Sequence, residues 1–196
     1  MEPESTERGR ELEELTGLLR ECERGAGRIA MVMGPPGFGK TRLLNAFAAT
    51  VTGAGVPLVT VSCTRADRAV DLGAVRQIAH GLGGDRDTPC LVGPDAAHRT
   101  WEALAARADA CGALVAVVDD AQHADPRSLE VIDHIAHRLR GSRILLVPAV
   151  GESPGGCYGR VLADLEHHPL CRRIRRAPIA VGEVARIGAR VLEAPI

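Results

Sequence analysis

The run GPPGFGKTRLL, Gly34 to Leu44, decides how the rest of the chain reads. It fits G-x-x-x-x-G-K-[ST] with Gly34, Gly39, Lys40 and Thr41, and it stands between a strand-like run, RIAMVM (Arg28–Met33), and a helical pattern from Lys40 to Val51. In that setting the pattern cradles phosphate. Gly37 and Gly39 let the backbone turn so that successive N–H groups face inward at a helix N-terminus, where the helix dipole adds partial positive charge. Pro35 and Pro36 carry no N–H, so they stiffen the entry and leave the donors to begin at Gly37. Lys40 is the only lysine, set against twenty-three arginines. A compact ammonium on a flexible stem reaches the outer phosphates where a planar guanidinium would disturb the cradle, which explains a lysine kept in an arginine-biased chain.

A phosphate cradle that works with a metal needs an acid at the end of another buried strand, and LVAVVDD supplies one. Asp119 follows five apolar residues and is followed by Asp120. Thr41 offers its hydroxyl to Mg²⁺, Asp119 holds the ion through water, and Asp120 stands where a carboxylate orients an attacking water. The expected site is therefore Gly34, Gly37, Phe38, Gly39, Lys40, Thr41 and Arg42 for the nucleotide, Thr41 and Asp119 for the metal, and Lys40 with Asp120 for the chemistry. Arg42 on its own reads as a solvated helix charge. Asp is one C–C bond, about 1.5 Å, shorter than the Glu usual at position 120, so turnover is expected to be slow. The nucleotide is expected to be ATP: no lysine remains for a guanine-reading N-K-x-D element, and Gln122 occupies the Gly position of a D-x-x-G switch.

The remaining sequence fits one domain around that loop. Five strand-like runs, RIAMVM, PLVTVSC (Pro57–Cys63), ALVAVVDD (Ala113–Asp120), RILLVPAV (Arg143–Val150) and a weak one around CRRIRRAPI (Cys171–Ile179), alternate with helical patterns. Continuous Val/Ile/Leu strands separated by helices predict a three-layer α/β domain with a mostly parallel five-stranded sheet. An amphipathic helix from Glu7 to Arg24 precedes it, a closing helix at Val181–Leu192 follows it, and Gly81–Asp95 is the one long loop candidate. With 196 residues, 45% apolar and 2% aromatic, a single core of Ala, Val, Leu and Ile is expected. The net charge of −1 excludes a whole-molecule field that would draw nucleic acid or an anionic membrane. Six cysteines without a C-x-x-C pair, an acidic polar N-terminus and strand-sized apolar runs predict a cytoplasmic protein with reduced thiols. Asp125 before Pro126 reads as a helix N-cap, and Trp101 as a core anchor on an amphipathic helix. His134, His137, His167 and His168 read as surface histidines, and Arg172, Arg173, Arg175 and Arg176 as a solvated strand edge.

Taken together, these motifs resemble the N-terminal ATPase domain of the large ATP-binding LuxR-family transcriptional regulators, the MalT-like members of the STAND and AAA-related P-loop NTPases. GRELEEL (Gly9–Leu15) is similar to the family's lead-in, Gly34–Leu44 to its Walker A and VVDDAQHADPRSLEVI (Val117–Ile132) to its double-Asp Walker B. RAPIAVGEVARI (Arg176–Ile187) is similar to the opening of its helical lid. The resemblance implies residues 1–26 as a lead-in helix, 27–178 as the nucleotide-binding core and 179–196 as the start of the lid. It implies one strand between the Walker A and Walker B strands, and a Mg·ATP switch that self-associates and meets DNA only through C-terminal regions absent from this chain. The sequence departs from the family at Gly151, Glu152 and Ser153, where an Arg is usual, and at His123, where an aromatic is common. Two other readings fit the same motifs: a free-standing AAA-type ATPase, and a nucleotide-binding interaction module without turnover.

Overall fold

The computed structural model describes residues 4–83, 95–151 and 159–176. The chain runs α1 (Glu4–Glu23), β1 (Arg28–Gly34), α2 (Lys40–Gly53), β2 (Leu58–Ser62), α3 (Gly73–Gly81) and α4 (Ala96–Cys111). It continues as β3 (Leu114–Asp119), α5 (Pro126–Ala136), β4 (Ile144–Gly151), α6 (Gly159–Glu166) and β5 (Cys171–Arg175), with single 3₁₀ turns at Asp67–Ala69 and Ala121–His123. The strands pair in parallel in the order β2-β3-β4-β1-β5. One strand, β4, therefore lies between β1 and β3, and the sheet is wholly rather than mostly parallel.

Side chains alternate across each strand, so one apolar run serves two cores. Ile29, Met31 and Met33 of β1, with Leu114, Ala116 and Val118 of β3, face a layer built from α3, α4, α5 and α6. Ala30 and Val32, with Val115 and Val117, face the other way onto Leu15, Leu19, Leu44 and the fully buried Phe47 of α1 and α2. Because both faces are covered, the strands read as unbroken apolar runs. Parallel pairing also sends every strand's C-terminal end to the same edge, which places Gly34, Asp119 and Gly151 side by side.

Two helical predictions are cut short, one at its start and one at its end. Periodicity predicts helix from Ala69 to Leu82, yet α3 begins only at Gly73, after Leu72 adopts a left-handed φ of 55°. The N–H groups of Leu72 and Gly73 each donate to Asp125 at 3.0 Å, so a tertiary tie outbids continued helix. The pattern from Pro126 to Arg140 stops as helix at Ala136, and the chain turns so that Leu139 is buried in the core. Trp101 packs against the core as expected, partly buried. His137 and His167 are exposed, whereas His134 and His168 are half-buried, and burial pushes both of their ring pKa values down. Most of the Gly81–Asp95 loop, Glu152, Ser153 and the closing helix lie outside the described residues. Among the described residues no helix is long and apolar enough to cross a membrane.

Asp125 does more than cap α5. Its carboxylate accepts from Ser128 N at 2.9 Å as well as from the two amides at the start of α3, and it is 2% exposed. Burial opposes its charge, but the hydrogen bonds from Ser128, Leu72 and Gly73 outweigh it and hold the carboxyl below its ordinary range. Asp125→Ala, which orphans those donors, is expected to cost about 2–4 kcal/mol in urea unfolding. Since the folded pKa is depressed, this contribution is fully present above the ordinary value of 3.8 and is lost as pH falls through the folded value. The difference between wild type and variant should therefore shrink in acid.

Candidate functional site

The loop between β1 and α2 turns on Gly37 and Gly39, whose φ angles of 84° and 76° lie in the left-handed region that side-chain-bearing residues avoid. Gly39 is the N-cap of α2 and provides no side-chain cap, so the first amides of that helix remain without intrahelical partners. Lys40 follows at once, 6% exposed. Its Nζ donates to the carbonyls of Gly34 at 2.9 Å and Pro35 at 3.2 Å, and among the described residues no carboxylate pairs with it. A buried cation satisfied only by neutral carbonyls, next to uncapped helix amides, is an arrangement that an anion completes.

The acids stand on the adjoining strand end. Thr41 Oγ1 donates to Asp119 Oδ2 at 2.8 Å, and Asp119 Oδ1 accepts from Asp120 N at 3.0 Å. Asp119 is 8% exposed, so its carboxylate is nearly withdrawn from water while its hydrogen bonds keep it satisfied. Asp120 takes a left-handed φ of 51°, which swings its carboxylate off the strand and toward the cleft. There Gln122 Nε2 donates to Asp120 Oδ1 at 3.0 Å, and Gly151 N donates to Gln122 Oε1 at 3.0 Å. The cleft itself measures about 680 Å³ and is lined by the loop, Lys40, Thr41, Asp120, Gln122 and Gly151. Arg42 lies on its wall and also on that of a second cavity of about 310 Å³, bounded by Gly9, Leu12, Leu43, Ala46 and Arg176.

Of the residues singled out from sequence, Gly37, Gly39, Lys40, Thr41, Arg42 and Asp120 line the cleft, and Asp119 sits behind Thr41. Gly34 and Phe38 do not line it; their backbone carbonyls accept from Lys40 and from Arg176. Arg176 is a correction. Arg172, Arg173 and Arg175 are exposed and ion-paired with Glu14 and Glu166, but the side chain of Arg176 is only 9% exposed. It donates through Nε to Phe38 O at 3.1 Å, ion-pairs with Glu11 of α1, and its N–H meets Met33 O at 2.7 Å. Its place in an arginine-rich run disguised it, because a one-dimensional pattern does not show which of four arginines turns inward. Gln122, Asn45 and Arg65 also line the cleft without having been expected there. His123 lines it too, with a buried Nδ1 that has no partner among the described residues.

The sequence model of the AAA ATPase domain matches residues 4–147. No curated protein matches the sequence. Among solved structures, the fold is similar to the Aeropyrum pernix ORC1 protein in complex with DNA, at TM-score 0.64 and 18% identity over 96% of this chain and 50% of that one. It is also similar to the Aeropyrum pernix ORC2 protein in ADPNP–ADP complexes, at TM-score 0.65 and 14% identity over 94% of this chain and 51% of that one. AMPPCP-bound DnaA from Aquifex aeolicus aligns at TM-score 0.57 and 16% identity over 94% and 50%. The chain thus spans about half the length of these structures, and at such identities the likeness concerns the fold.

The strut formed by Arg176, Glu11 and Phe38 O joins α1, the loop and the exit of β5. Arg176→Ala strands the largely covered Glu11 carboxylate and is expected to cost about 2 kcal/mol of stability. Glu11→Ala should cost a similar amount, and the double variant less than the two together, in a denaturation double-mutant cycle.

Proposed function

The chain belongs to the AAA ATPase domain family, and from that premise we propose that it binds Mg·ATP as a nucleotide-operated switch and hydrolyses it slowly. One observation carries the reading: a lysine with no acidic partner among the described residues, an uncapped helix start and a Thr41–Asp119 pair converge at one edge of a parallel sheet. Lys40 and the amides from Gly37 to Thr41 hold the phosphates, and Asp120 orients the attacking water. Thr41 and Asp119 seat Mg²⁺, which when bound neutralises charge on the outer phosphates. The cavity beside Arg42, walled by Leu12, Leu43 and Ala46, suits an apolar base edge between α1 and α2.

The order of the motifs supports the narrower reading, a switch domain of LuxR-family transcriptional regulators. In it, residues 1–26 lead into a core of 27–178, and 179–196 open a helical lid. Such a domain self-associates in its ATP state and reaches DNA through other regions. Free thiols at Cys22, Cys63, Cys111 and Cys171, with burial pushing that of Cys22 up to about 12, are compatible with work in the cytoplasm. Gln122 holding the Asp120 carboxylate favours one alternative, a module that binds nucleotide without turnover.

Calorimetric titration with Mg·ATP, paired with a phosphate-release assay, separates these readings. Wild type is expected to bind and turn over slowly. Lys40→Ala is expected to lose binding by about a hundredfold or more. Asp120→Asn is expected to bind normally and lose what hydrolysis there is. Binding lost in Lys40→Ala, with no release from wild type or any variant, supports the inert module; rapid wild-type release supports a free-standing ATPase; no heat with Mg·ATP refutes nucleotide binding.

A further inference from the structure

Gly151 ends β4 between the two site strands, yet it brings no side chain to the cleft it lines. A Cβ built there would lie 3.3 Å from Gln122 Nε2 and 4.0 Å from Lys40 Nζ. The space that a side chain at the end of β4 would occupy is therefore taken by the Gln122 amide, which arrives from the 3₁₀ turn after β3. Two hydrogen bonds fix it there, and a third holds the residue's backbone. Its Oε1 accepts from Gly151 N, one Nε2 hydrogen goes to Asp120 Oδ1, and its main-chain oxygen accepts from Arg68 Nη2 at 2.7 Å. The second Nε2 hydrogen has no acceptor among the described residues. A cleft-lining amide with one spare donor, placed between the ammonium of Lys40 and the carboxylate of Asp120, is built to meet an anion.

Building on the nucleotide reading above, we propose that Gln122 is the residue by which this site tells a triphosphate from a diphosphate. Lys40 grips the outer phosphates, and the terminal one brings an oxygen into reach of the spare Gln122 hydrogen. ADP lacks that oxygen. Gln122 takes over the part that a longer side chain at position 151 would play, and the same amide ties the end of β4 and Asp120 to that contact. Loss of the terminal phosphate is thereby felt at two strand ends together.

Affinity, rather than turnover, tests this. Mg·ADP and Mg·AMPPNP are titrated calorimetrically into wild type, Gln122→Ala and Gln122→Glu. The glutamate keeps an acceptor for Gly151 N and removes the donor, so it separates the phosphate contact from a merely structural role; thermal melts of all three report folding. Wild type should prefer the triphosphate. Gln122→Ala should lose about tenfold in Mg·AMPPNP affinity with Mg·ADP within about twofold, the range of one hydrogen bond to a charged group. Gln122→Glu should lose at least as much for the triphosphate alone. Equal losses for both nucleotides, or retained discrimination in either variant, overturns the assignment while leaving nucleotide binding in place. A wild type that binds neither nucleotide overturns both readings at once.

Discussion

The hydrogen bond from Thr41 to Asp119 joins the first turn of α2 to the end of β3, across the width of the intervening β4. Everything at the site depends on that closeness. It exists because a parallel sheet delivers all its strand ends to one edge, and because the loop after β1 doubles back tightly enough to set Thr41 over the neighbouring acid. Hydroxyl and carboxylate satisfy each other here at little cost, and both are oxygen donors of the kind a hard divalent cation takes in exchange. The same self-satisfaction recurs nearby. Lys40 rests on the carbonyls of its own loop, and Gln122 rests on Asp120 and Gly151. Each group is held in position by bonds that a stronger, charged partner can replace.

The supports of this edge come from distant parts of the chain. Asp125, on the far side of the β3 turn, pins the start of α3, while Arg176 runs under the phosphate loop from the exit of β5 to Glu11 of α1. These are buried charges, and each would be a liability alone. Paired and hydrogen-bonded, they give the loop and the β3 turn one defined arrangement rather than several. The left-handed backbone at Leu72 sits where Asp125 holds the chain, and that at Asp120 where Gln122 holds its carboxylate.

The fold could be read from composition and order because its determinants are local and repetitive. Unbroken apolar strands alternate with amphipathic helices, and the glycine pattern marks where one strand hands over to one helix. Lys40, Thr41 and Asp119 were legible for the same reason, since residue type and spacing define them. What escaped was non-local. Nothing in CRRIRRAPI says that Arg176 rather than Arg175 turns under Phe38. The side-chain path of Gln122 becomes meaningful only once β4 lies beside β3 and leaves Gly151 bare. The late start of the helix in the Ala69–Leu82 pattern likewise needed Asp125, fifty-three residues on from Leu72, to be in place.

The proposed phosphate-gripping loop with its metal seat has a sharper signature than nucleotide binding itself, namely dependence of affinity on the ion through one named carboxylate. The direct measurement is the affinity for ATP with and without Mg²⁺ in wild type and in Asp119→Asn, a change that keeps an acceptor for Thr41. Mg²⁺ should tighten wild-type binding by at least about tenfold and leave the variant nearly unchanged. Equal tightening of both would contradict a metal seat formed by Thr41 and Asp119.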